Sequence, residues 1–174
     1  MELIRITSSK DPLLEDVPAL YESAFPEVAR IPSEKFLKLI DICPQLNFNV
    51  ITDSGSFCGM AIVWKLDQFW YFEYLAIDSE FRNKGIGRQV LKEIFLQTDL
   101  PIVGEVEPPV LDIQKRRLAF YGRHGLHVVS ENPVVLNGYH SNNRLCLVST
   151  KPLEDSEHIQ REIINKVYAV MRSI

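Results

Sequence analysis

Residues 69–77 read Phe69-Trp70-Tyr71-Phe72-Glu73-Tyr74-Leu75-Ala76-Ile77, and shortly beyond them stands Arg82-Asn83-Lys84-Gly85-Ile86-Gly87. The first run is aromatic and β-favouring and predicts a strand. Downstream, Ile86, Val90, Leu91, Ile94 and Phe95 recur at helical spacing. The two glycines thus lie where a strand passes into a helix, and without a Cβ the backbone there can approach a ligand closely. The unpaired N–H groups of the first helical turn, backed by the positive end of the helix dipole, suit a phosphate. Arg82, Lys84 and Arg88 add positive charge around it. Two familiar phosphate binders fit poorly. The dinucleotide fingerprint wants a further glycine at position 90, which is Val, and a P-loop wants Gly-Lys-Ser/Thr, which the chain lacks. A phosphate-bearing cofactor of another kind remains.

Arg82-x-x-Gly85-x-Gly87 behind an aromatic strand resembles the acyl-CoA pyrophosphate loop of the GNAT superfamily, the CoA-dependent N-acetyltransferases. A second block resembles the same family. Gln114-Lys115-Arg116-Arg117-Leu118-Ala119-Phe120-Tyr121-Gly122-Arg123-His124-Gly125-Leu126 follows its Asn-x-x-Ala-x-x-x-Tyr-x-x-x-Gly-Phe segment with the Tyr-to-Gly spacing kept. Gln114 stands where the family usually has Asn, and Arg117 where a small residue is usual. The resemblance implies an α/β (α+β) GNAT fold: a mixed, mostly antiparallel twisted sheet of about seven strands, flanked by helices on both faces. It implies acetyl-CoA as cosubstrate and an amine as acceptor. Pantetheine would run along Leu75, Ala76 and Ile77, and the pyrophosphate would meet Arg82, Asn83, Lys84, Gly85, Ile86, Gly87 and Arg88. Gln114 would contribute a cofactor contact, and Tyr121 would give a proton to the departing CoA sulfur.

Composition sets the outer limits. A chain of 174 residues holds one domain with a substantial core. With 46% apolar and 24% charged residues, it reads as a globular protein, and no apolar run is long enough to cross a bilayer. Met1-Glu2-Leu3-Ile4-Arg5-Ile6 alternates like a strand and does not resemble a signal peptide. A net charge of −4 argues against nucleic-acid binding. Three widely spaced cysteines, Cys43, Cys58 and Cys146, form no zinc pattern and point to free thiols in a reducing cytoplasm. His124 and His127 straddle a helix end, so no metal site is expected.

The coarse order of elements reads β-α-α-β-β-β-α-β-α-β-β. Pro18 lies in the first turn of a helix ending near Phe25. Ser33 is expected to cap the second helix and Asp112 the fourth. Leu46, Phe48 and Val50 alternate with Asn47 and Asn49, predicting a half-buried strand. Val128-Val129 and Arg144 to Val148 read as closing strands, with a loop around Pro133 and Gly138 between them. The domain is expected to span 1–152. In 153–174, Ile159, Ile163, Val167, Val170, Met171 and Ile174 share one face of an amphipathic helix, to be covered by the domain itself or by a second copy.

Amine acetylation needs a base for the ammonium proton, a donor for the thioester oxygen and an acid for the thiolate. Tyr121 is the candidate acid. Glu73, Glu105 and Glu107 are the candidate bases, with Glu105 and Glu73 ranked first: Glu73 is a carboxylate set among aromatics, and Glu105 lies where some family members carry a catalytic carboxylate. The acceptor stays open among small-molecule and peptide amines. The rival reading is a non-catalytic CoA-binding module on the same fold, which would have no need of Glu73, Glu105 and Tyr121 together.

Overall fold

Strands in the middle of this chain are apolar on both sides, and each side is covered by helices. The computed structural model describes residues 1–130 and 145–174. Its order is β1 (Glu2–Ile6), α1 (Val17–Ala24), α2 (Ser33–Ile42), β2 (Leu46–Asp53), β3 (Ser56–Lys65), β4 (Trp70–Ile77), α3 (Ile86–Phe95), β5 (Ile102–Val106), α4 (Asp112–Arg123), β6 (His127–Ser130), β7 (Cys146–Ser149), α5 (Ser156–Ile163) and α6 (Ala169–Arg172). The expected closing loop around Pro133 and Gly138, and Arg144 of the last strand, lie outside the described residues.

The seven strands form one sheet in the order β1-β2-β3-β4-β5-β7-β6. Every neighbouring pair is antiparallel except β4 and β5. Side chains alternate between two cores, as the period of a strand requires. Phe48, Val50, Met60, Ile62, Trp64, Tyr71 and Tyr74 face α1, α2 and the C-terminal helix. Ile51, Cys58, Ala61, Val63 and Phe72 face α3. β2 is therefore not half-buried, as its alternation suggested. With both faces covered, Asn47 and Asn49 are buried too, and the Asn49 amide donates to the carbonyls of Asn47 and Ala61 at 3.0 and 3.1 Å.

Two cap assignments also change. Ser33 and Asp112 are the first residues inside their helices, with Pro32 and Leu111 in the cap positions. Ser33 instead donates its hydroxyl to Glu22 at 2.7 Å. The start of α4 is satisfied by Gln114, whose carboxamide oxygen accepts from the N–H groups of Val110 and Leu111.

The C-terminal helix packs on the first core through Ile159, Ile163, Val167, Tyr168 and Met171. Between α5 and α6 it widens into a π-helical turn over Ile164–Tyr168, a distortion that often accompanies functional sites. Among the described residues no helix is long and apolar enough to cross a membrane.

Ile163 has no exposed surface. Ile163→Ala is expected to lower stability by roughly 2–5 kcal/mol, the range for a buried aliphatic truncated to alanine. Urea unfolding of the full chain and the variant measures it, and a change below about 0.5 kcal/mol, the surface-substitution range, would mean the helix does not carry the core.

Candidate active site

The parallel pairing of β4 with β5 covers only Trp70–Phe72 against Ile102–Gly104. Past that point each strand continues, β4 to Ile77 and β5 to Val106, but the two no longer pair. A cavity of about 830 Å³ opens into this fork, a size suited to a small molecule or cofactor. Leu75, Ala76 and Ile77 line it from β4, and Arg82, Asn83, Gly85, Ile86, Gly87 and Arg88 from the loop and α3. Tyr121 lines it from α4 and Glu73, Glu105 and Glu107 from the strands. Of the residues expected at the cofactor, Lys84 and Gln114 are not in this lining. Lys84 lies over the Phe81 ring at 4.9 Å, and Gln114 is committed to the α4 cap.

Gly85 sits in the left-handed region at φ 80°, the cap position of α3, which a residue with a Cβ occupies only with strain. The turn it makes opens the helix end. Gln89 is the first to bond back, to the Gly85 carbonyl at 3.1 Å, and no side chain caps the turn. Among the described residues the amides of Ile86, Gly87 and Arg88 are thus left for a ligand. Gly87 serves differently, since a Cβ there would lie 3.4 Å from the Phe120 ring. Arg82 is held by its Nε, which donates to the Ile77 carbonyl at 2.9 Å.

At the other end of the fork stand the carboxylates. Between β3 and β4 the register shifts, with Ile62 opposite Tyr74 and Val63 opposite Phe72, so Glu73 is the extra residue of a β-bulge. Such bulges redirect a side chain. Glu73 Oε2 accepts from Trp64 Nε1 at 2.6 Å. Glu105 Oε2 accepts from the Tyr71 hydroxyl at 3.0 Å and also from that of Tyr168. The other oxygen of each, Oε1, is buried without a partner. Burial pushes Glu73 up to about 8, helped by the charge of Glu105 and opposed by the indole N–H. Glu105 is raised by burial as well, against the pull of its two phenols. Glu107, the third candidate, is ion-paired with Arg117 at 2.7 Å.

Tyr121 packs edge-on to Phe72 and Phe120. Its hydroxyl makes no hydrogen bond among the described residues, and burial raises its pKa while Arg117 opposes that rise. Trp64, Tyr71 and Tyr168, the groups that hold the carboxylates, were not singled out from the sequence. A phenol on the apolar face of the C-terminal helix was the available signal, because a buried hydroxyl needs a partner.

Residues 44–126 match a family model described as the GNAT acetyltransferase domain. A protein from Bacteroides thetaiotaomicron assigned to the GNAT acetyltransferases superposes with a TM-score of 0.83 at 27% identity, covering 97% of this chain and 98% of that one. The chain has the GNAT fold, and residues 44–126 resemble the acetyltransferases that share it. More distant solved structures repeat the fold. A GNAT acetyltransferase from Elizabethkingia anophelis with acetyl-CoA bound gives a TM-score of 0.58 at 15% identity, over 85% of this chain and 95% of that one. An aminoglycoside 6'-N-acetyltransferase complexed with coenzyme A gives 0.60 at 14%, over 89% and 100%. A search of curated protein sequences finds no match. The forked sheet and the glycine loop of this GNAT-fold chain line the candidate site.

The raised pKa of Glu73 has a consequence for stability. Between its ordinary value near 4.5 and its folded value of about 8 the native state holds a proton that the unfolded chain gives up. Its contribution is complete below the lower value and is lost as pH rises through the upper one. Stability measured by urea unfolding is expected to fall between pH 5 and 8.5, and to fall less in Glu73→Gln. Equal slopes in the two proteins would show that Glu73 titrates normally.

Proposed function

We propose that this protein is an N-acetyltransferase that moves an acetyl group from acetyl-CoA to the amine of a small molecule or peptide, by direct attack within a ternary complex. One observation carries the reading. A single cavity joins the open amides of α3 at one end to, at the other, two buried carboxylates and a phenol with no hydrogen bond among the described residues. The residues present fit a CoA thioester: unpaired amides of Ile86, Gly87 and Arg88 and the guanidinium groups of Arg82 and Arg88 suit its pyrophosphate, and the unpaired stretch from Glu73 to Ile77 suits its amide-bearing arm. The CoA-bound and acetyl-CoA-bound relatives support the same cosubstrate.

In this reading the thioester supplies an activated acetyl carbon. Glu105 or Glu73 takes a proton from the substrate ammonium, freeing the lone pair that forms the C–N bond. The nitrogen sheds a second proton as the C–S bond breaks, and Tyr121 protonates the sulfur and is then reprotonated. The products are the amide, the free thiol and one released proton. A carboxylate pushed toward neutral pH is the better matched to this task. The buried free thiols of Cys43, Cys58 and Cys146 favour a reducing cytoplasm as the setting.

Acetyl-CoA at ~100 times its dissociation constant is expected to add about 2.7 kcal/mol of stability, read as a raised melting temperature. Nothing lies within 4 Å of a Cβ placed on Gly85, so Gly85→Ala acts through the backbone of the turn alone and is expected to shrink that shift. If NADH stabilises the protein and acetyl-CoA does not, the reading fails. Tyr121→Phe keeps the ring and removes the donor. Turnover, followed as free thiol, is expected to drop by roughly 10²–10⁴-fold with little change in acetyl-CoA affinity. Full turnover in Tyr121→Phe would take it out of the mechanism.

A further inference from the structure

The acceptor end of the cavity has a charge arrangement that the fold alone does not need. Phe72 and Gly104 are the last register partners of β4 and β5, so the next residues, Glu73 and Glu105, stand side by side on adjacent strands where the sheet splits. Neighbouring strands lie about 4.8 Å apart, and like charges directly opposite one another destabilise a sheet. Burial and the charge of Glu105 both push Glu73 toward its neutral form. Each carboxylate is also built in the same way. One oxygen is fixed by protein donors, Trp64 for Glu73 and the phenols of Tyr71 and Tyr168 for Glu105. The other is buried and unpartnered, which costs free energy unless something supplies a donor.

Two fixed acids, each holding one oxygen in reserve beside the other, make a complementary site for a group with at least two N–H donors and a positive charge. Resting on the acetyltransferase reading, we infer that the acceptor is a primary alkyl- or arylalkylamine bound as its ammonium ion, gripped by Glu73 and Glu105 together. The walls on this side are apolar and aromatic, from Ala24, Phe25, Pro26 and Tyr74, and take the hydrocarbon part. Among the described lining residues the arginines are elsewhere: Arg82 and Arg88 belong to the loop and first turn of α3, and Arg117 is paired with Glu107. An α-amino acid would bring its own carboxylate against two acids, with no arginine or lysine among the described lining residues on that side to receive it. Such acceptors are selected against.

A role as base alone and a role as paired grip separate in kinetics. A lone base lowers kcat in one variant; the grip raises the KM for the amine in both. The experiment uses the full chain at fixed pH with saturating acetyl-CoA, and compares phenethylamine, pentylamine and phenylalanine as acceptors. Glu73→Gln and Glu105→Gln are each expected to raise the KM of the two amines by roughly ten- to a hundredfold, the worth of a hydrogen bond to a charged group. Phenylalanine is expected to be poorer than phenethylamine by a similar factor.

A second readout needs no turnover. Either glutamine variant exchanges repulsion for an N–H···O contact, so its melting temperature without amine is expected to equal or exceed that of the wild type. Unchanged amine KM in both variants, phenylalanine equal to phenethylamine, or a sharply lowered melting temperature would each overturn the inference. If acetyl-CoA stabilises the protein but neither amine is acetylated, the inference falls and the cofactor half of the proposed function stands. If acetyl-CoA does not bind at all, the proposed function itself falls.

Discussion

The candidate site of this molecule depends on where β4 and β5 stop pairing. A parallel ladder that ran its full length would close the sheet, bury Leu75, Ala76 and Ile77 against a neighbour and leave no room beside Glu73 and Glu105. Because the ladder ends at Phe72 and Gly104, main-chain groups that would have been satisfied by a strand are left to a ligand. Backbone N–H and C=O groups need partners somewhere. The α3 amides at the mouth of the same cavity pose the same demand, and one elongated molecule can answer both.

The second constraint is the bulge at Glu73. One extra residue between Phe72 and Tyr74 resets the alternation of β4, so that Tyr71, Glu73 and Tyr74 serve one side of the sheet while Phe72, Leu75 and Ile77 serve the other. A strand of strict period two could not place an acid here and still send Tyr74 into the core, where it stacks edge-on with Tyr21 and Phe36. The irregularity lets one strand build both a core and a site.

Much of the architecture was legible because it rests on local rules. Alternation marked β3 and β4, glycines at 85 and 87 marked the strand-to-helix turn, and helical spacing marked α3. The tyrosine-to-glycine spacing in 121–125 placed α4. What was not legible is non-local. Nothing near Asn47 and Asn49 tells that helices cover both faces of β2. Ser33 and Asp112 have cap-forming side chains, yet the chain puts Pro32 and Leu111 in those positions and lets Gln114 do the capping. Glutamates 73 and 105 were visible as candidates, but their donors come from Trp64 of β3, Tyr71 of β4 and residue 168, and no spacing rule links 105 to 168.

That last link bears on how the site comes into being. The glycine loop, both glutamates and Tyr121 are all translated before Tyr168, and until the C-terminal helix docks, Glu105 has the hydroxyl of Tyr71 but not that of Tyr168. A nascent polypeptide therefore carries its glycine loop and both glutamates well ahead of the second phenol that braces Glu105.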